Sequence, residues 1–163
     1  MKKIELFDLS INKSIKQQFI SEIDILIEKK DWIMGDAVRN FENNLKNFLS
    51  TNFCISVNSG TDALELSLRA LGIKSGDKVI VPAFSFFATS EAVLKIGATP
   101  IYCDISRDNL NIDITSLKNK IDGKVKSIIP VHLFGNAANL EELIEFADRY
   151  ELSIIEDVAQ AFG

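Results

Sequence analysis

Four short stretches carry residue types that can do chemistry together. Asp157 follows the apolar run Leu152–Ile155, and Gln160 stands three positions on. A carboxylate at the end of a buried strand is costly unless a cation or hydrogen-bond donor meets it. The functional reading is an ion pair to a protonated ring nitrogen; the structural alternative is a helix cap. Asn58-Ser59-Gly60-Thr61-Asp62 joins an apolar run to a helical pattern. Such a turn offers free backbone N–H groups and the positive end of a helix dipole to an anion. It lacks the Gly-Lys-Ser/Thr of a Walker loop and the spaced glycines of a dinucleotide fingerprint. Capping of the helix by Ser59 or Thr61 is its plainer explanation.

The third stretch, Ala83–Thr89, holds Phe84, Phe86 and Phe87. One aromatic ring at a sheet rim can stack on a planar ligand, whereas Phe84 and Phe87 are expected in the core. The fourth, His132–Gly135, contains the single histidine of the chain. With no acidic or nucleophilic partner evident, His132 reads as a hydrogen-bonded packing residue at a strand end. Asp104–Asn109 resembles the start of a calcium loop, but Asn109 stands where glycine is required and Thr115 where glutamate is required.

These stretches need a frame that brings strand ends together. Helical spacing marks 12–29, a second segment after Gly35, and a third through Leu64, Leu68 and Leu71 that stops at Gly72. From Phe53 the apolar runs alternate with helical patterns: strands are expected over 53–57, 78–81, 99–103, 126–131 and 152–155. Helices are expected between them over Phe86–Ile96, from Asp113 through Ile121, and from Asn139, with Glu142 completing a capping box. Strands that are apolar throughout, joined by helices, imply parallel pairing with both faces covered. The expected fold is α/β, a three-layer wound and mainly parallel sheet whose ligands lie beyond the carboxyl ends of the strands.

Composition bounds the alternatives. The 163 residues are 47% apolar and 25% charged, with net charge −5, pI near 4.9 and mean hydropathy +0.12. That balance fits a folded domain and opposes sequence-independent nucleic-acid binding, which needs clustered basic residues. The N-terminal Met1–Ser10 has no apolar run resembling a signal peptide, and no stretch suits a membrane span, so the expected compartment is the cytoplasm. Cys54 and Cys103 lie in apolar runs and read as free thiols, and no metal site is expected.

The ordered set of motifs resembles the DegT/DnrJ/EryC1/StrS family of sugar aminotransferases, which depend on pyridoxal 5'-phosphate (PLP). The matching stretches are Trp32–Gly35 with Phe41-Glu42, Val57–Leu64, Gly76–Phe86, Gly97–Pro100, Pro130–Gly135 and Ile155–Ala161. The resemblance implies the large domain of a fold-type-I PLP enzyme, incomplete here. It divides the chain into an N-terminal helical segment, 1–34, and the N-terminal part of the PLP-binding domain, 35–163, with the small C-terminal domain absent. It places Gly60, Thr61 and Asp62 at the PLP phosphate, Phe86 against the pyridine ring, Asp157 at the pyridine nitrogen and Gln160 near the phenolic oxygen.

The implied activity is transfer of an amino group, from a donor such as glutamate, to a nucleotide-linked keto sugar. A homodimer is implied for the full-length enzyme. The family's Schiff-base lysine lies in a Ser-x-x-x-Lys-like stretch beyond the Asp-x-x-Gln motif, so no catalytic residue is expected within 1–163. The chain alone is therefore expected to be inactive, with 53–57 lacking its strand partner and 152–155 left as an open edge. A dehydratase of the same family, another fold-type-I activity and a non-catalytic dimerisation piece are the competing readings.

Overall fold

The computed structural model describes residues 10–162; the first nine residues of the expected N-terminal segment, and Gly163, lie outside them. The chain separates into two compact units, Met1–Ser56 and Val57–Gly163.

The first unit contains α1 (Lys13–Lys29) and α2 (Asp36–Phe48). Asn12 caps α1 by accepting the Ser14 N–H at 2.8 Å, satisfying one of the donors that a helix start leaves open. The apolar stripe of α1 is exposed, including Ile15, Phe19 and Ile23. Glu42 of α2 accepts both the N–H and the hydroxyl of Ser56, at 2.8 and 2.7 Å, and ties the unit's last residue to its second helix.

The second unit is a parallel α/β sheet. Its elements are α3 (Gly60–Ala70), β1 (Lys78–Pro82), α4 (Phe87–Lys95), β2 (Thr99–Cys103), α5 (Ile114–Lys118), β3 (Val125–Ile128), α6 (Leu140–Arg149) and β4 (Ser153–Ile154). The sheet order is β2-β1-β3-β4, every pair parallel. Side chains alternate across it as the pleat requires. Val79 and Val81 join Leu64 and Leu68 of α3 and Ala92 and Val93 of α4 in one core. Ile80 joins Leu117 of α5 and Leu143 and Phe146 of α6 in the other. Helices on both faces make the three layers expected of apolar parallel strands.

Strand and helix positions follow the sequence patterns, but β3 stops at Ile128, short of the expected 131, and β4 covers only Ser153–Ile154 of the expected 152–155. Helix α5 ends at Lys118, short of Ile121. Phe53–Val57 carries no strand assignment, and Phe53 and Ile55 are 85% and 80% exposed. An apolar run becomes a strand only when a neighbour takes its backbone hydrogen bonds, and none of the described strands pairs with it. Among the described residues, no helix is long and apolar enough to cross a membrane.

The loop after β3 is pinned from within. His132 is buried, its Nδ1 accepts the Ala138 N–H at 3.0 Å, and its Nε2 meets Glu156 Oε2 at 3.1 Å. A nitrogen that accepts carries no hydrogen, so the ring hydrogen sits on Nε2 and is donated to Glu156. His132 is thus the packing residue the sequence suggested, with a partner the sequence did not reveal.

Two predictions come from these contacts. His132→Ala orphans the Ala138 N–H and should lower unfolding free energy in urea by at least about 1–3 kcal/mol. Glu156→Gln, which keeps an acceptor at a half-exposed position, should change it by less than about 0.5 kcal/mol. Equal effects would contradict the assignment. Separately, the Ser56 amide, then its hydroxyl, hold the Glu42 carboxyl below its ordinary value. Its contribution is complete above the ordinary glutamate range, near pH ~4.3, and is lost as pH falls through the lower folded value. The Ser56 amide resonance should titrate with a midpoint below that range; a midpoint within it would show that the contact is absent.

Candidate functional site

The sheet order places a topological switch between β1 and β3: the chain leaves β1 toward β2 on one side, then returns to build β3 and β4 on the other. Crevices at such a point open beyond the carboxyl ends of the strands. A cavity of about 230 Å³ lies there. Gly60 and Thr61 line it from the start of α3, Ser85 and Phe86 from the loop after β1, and Asp157 and Gln160 from the segment after β4.

The α3 end of this cavity is the start of a capped helix. Ser59 is the N-cap, and its hydroxyl accepts the Asp62 N–H at 3.1 Å, while Ala63 N–H returns to Ser59 O at 3.0 Å. The N–H groups of Gly60 and Thr61 have no partner among the described residues. Nothing lies within 4 Å of the place a Gly60 Cβ would occupy, so the space in front of these donors is open. Of the three residues expected at a phosphate, Gly60 and Thr61 line the cavity and Asp62 does not. The capping reading holds here, and the hydroxyl of Ser59 serves one donor and leaves the N–H groups of Gly60 and Thr61 facing the open space.

Asp157 stands at the other end, half-buried. Its backbone continues the sheet past β4: Asp157 N–H donates to Pro130 O at 2.9 Å, and His132 N–H donates to Asp157 O at 3.1 Å. The carboxylate is met by two donors, the Ala159 N–H on Oδ1 at 3.2 Å and the Thr89 hydroxyl on Oδ2 at 3.0 Å. Among the described residues no lysine or arginine pairs with it. An uncompensated carboxylate facing a cavity is the arrangement that selects a cation or a protonated nitrogen.

Gln160 is oriented by the loop after β3. Phe134 sits in the left-handed region, φ 58°, within a single 3-10 turn, and its N–H donates to Gln160 Oε1 at 2.7 Å. Gly135 follows at φ 81°, where an added Cβ would press on Gln160 O at 3.4 Å. With Oε1 occupied by a backbone donor, the amide nitrogen is the end that Gln160 offers a ligand.

Phe86 is the N-cap residue of α4, 76% exposed, and lines the cavity with its neighbour Ser85. Phe84 and Phe87, expected in the core, are exposed instead. The buried positions of α4 are Thr89, Ser90, Ala92 and Val93; Phe87, at the first position of the helix, falls outside them, and Phe84 lies in the loop after β1. His132 does not line the cavity. Thr89, which the sequence did not single out, contacts the Asp157 carboxylate. Its signal was present: a hydroxyl at the head of the inward row Thr89, Ala92, Val93, Ile96 breaks an otherwise apolar helical stripe. Among the described residues no cluster of His, Cys, Asp or Glu is placed to hold a metal ion.

Residues 13–163 match the DegT/DnrJ/EryC1/StrS aminotransferase family. The chain is 38% identical over 161 residues to a UDP-2-acetamido-2-deoxy-3-oxo-D-glucuronate aminotransferase of Pseudomonas aeruginosa, covering 98% of this chain and 45% of that protein. It is 41% identical over 129 residues to a 3-oxo-glucose-6-phosphate:glutamate aminotransferase of Bacillus subtilis, covering 79% and 29%. A solved Bacillus subtilis structure, NtdA with bound cofactor PMP (pyridoxamine phosphate), superposes with a TM-score of 0.91 at 35% identity, over 94% of this chain and 35% of that one. The chain thus spans less than half the length of these relatives. With its match over residues 13–163 and its parallel sheet closing on a rim carboxylate, the chain belongs to the DegT/DnrJ/EryC1/StrS aminotransferase family.

Proposed function

We propose that this chain supplies the cofactor cradle of a PLP-dependent aminotransferase that moves an amino group, from a donor such as glutamate, onto a keto sugar. A sugar linked to a nucleotide is the preferred acceptor, as in the Pseudomonas aeruginosa relative; the Bacillus subtilis relative is named for a sugar phosphate. The observation that carries the reading is one cavity that holds, among the described residues, two N–H donors without a partner at the start of α3 and the Asp157 carboxylate without a cation beside it. A phosphate and a protonated pyridine on one small molecule satisfy both, and Phe86 offers a ring at the same rim.

Each residue then has a definite task. Gly60 and Thr61 hold the phosphate through backbone N–H groups aligned with the dipole of α3. Asp157 keeps a proton on the pyridine nitrogen, because a nearby anion favours the charged form of its partner. Gln160 donates from its amide nitrogen toward the phenolic oxygen, its Oε1 being already held by Phe134 N–H. Phe86 covers one face of the ring and excludes water from it. When bound, PLP supplies an electron sink for breaking a bond at the amino carbon. The proton that Asp157 maintains on the ring is what makes that sink effective.

PMP is the suitable probe, because it has no aldehyde and binds without a covalent bond to lysine. The chain should bind PMP, and Asp157→Asn should weaken binding by at least about tenfold. Equal affinities measured by fluorescence titration would remove the cofactor reading.

A further inference from the structure

One buried polar group beside the cavity has no task in the proposed function. Thr89 lies on α4, is 1% exposed, and is not part of the cavity lining. Its hydroxyl donates to Asp157 Oδ2 at 3.0 Å, across 68 positions of sequence. The other contact to the carboxylate, Ala159 N–H to Oδ1 at 3.2 Å, comes from two residues along the same loop. Thr89 is therefore the only side chain among the described residues that fixes the carboxylate, and it does so from a different element. Ser85 Oγ stands 3.4 Å from Thr89 Oγ1. Because the single hydroxyl hydrogen of Thr89 goes to Asp157, Ser85 is the donor in that contact. The result is a chain of hydroxyls, Ser85 to Thr89 to Asp157, running from the cavity lining to the carboxylate.

We infer that Thr89 is a positioning residue that, through its hydrogen bond to Asp157, keeps the shared proton on the pyridine nitrogen of the bound cofactor rather than on the carboxylate. This rests on the cofactor reading given above. Asp157 and a pyridine nitrogen share one proton: the pair is carboxylate with pyridinium, or carboxylic acid with neutral pyridine. A donor to the carboxylate stabilises its anion and so favours the first arrangement. Take the donor away and the anion becomes the better base, drawing the proton off the ring. Burial amplifies the effect, since water does not reach Thr89 to replace its hydroxyl. Packing alone does not call for threonine here: valine has nearly the same shape and would extend the row of Ala92 and Val93.

The test is a titration of this chain with PMP labelled with ¹⁵N at the ring nitrogen, reading affinity and the ¹⁵N shift together. The wild-type chain should bind with a pyridinium-like shift. Thr89→Val should bind about tenfold more weakly, with the signal moved toward neutral pyridine, and Thr89→Ser should keep both wild-type values. If Asp157→Asn loses affinity while Thr89→Val retains the wild-type shift, the inference fails and the cofactor reading stands. If wild type and Asp157→Asn bind PMP equally, or neither binds, the cofactor reading fails and the inference falls with it. Should Thr89→Val not fold by circular dichroism, Thr89→Ala against Thr89→Ser makes the same comparison: a shift restored by serine supports the inference, and identical shifts overturn it.

Discussion

A carboxylate held at the rim of a parallel sheet, with no cation beside it among the described residues, is the constraint around which the second unit is arranged. Asp157 is not on a free loop. Its N–H and C=O both pair with the Pro130–His132 segment, extending the ladder of β3 and β4 beyond their last assigned residues. Its side chain is then met by Thr89 and Ala159. Two donors meet the carboxylate, but neither is itself charged. The negative charge therefore remains available to a ligand, which distinguishes this carboxylate from a structural ion pair such as Arg69 with Glu65.

The rest of the frame explains why two free N–H donors face it. Reversal of strand order between β1 and β3 opens a crevice, and α3 enters that crevice by its N-terminus. The apolar faces of α3 and α4 share one core with Val79 and Val81, so the helix start and the loop after β1 are set by the same packing. Loop chemistry supplies the fine adjustment. His132 ties the loop after β3 to Ala138, and Phe134, in a left-handed conformation, turns its N–H to Gln160. Strain at a non-glycine residue is tolerated at such sites because surrounding contacts over-determine it.

Much of this was legible in the sequence because it depends on local pattern. Apolar runs broken by helical spacing marked β1 and β2 almost to the residue, and Asn139 with Glu142 announced the start of α6, where the Glu142 N–H does reach Asn139 Oδ1 at 3.3 Å. Asp157 stood out because a carboxylate seldom ends a strand of that character. What was not legible depends on distant partners. The run from Phe53 looks like a strand, yet none of the described strands pairs with it. Phe84 and Phe87 look like core, yet Phe84 falls in the loop after β1 and Phe87 outside the buried positions of α4. Thr89 and Asp157 are 68 positions apart, and no local pattern links them.

Placement of one small molecule decides whether this arrangement is what it is taken to be. A crystal structure of the chain grown with PMP should show the phosphate against the N–H groups of Gly60 and Thr61 and the ring nitrogen within hydrogen-bonding distance of the Asp157 carboxylate. A PMP bound with its phosphate away from the start of α3, or with its ring nitrogen turned from Asp157, would contradict the account.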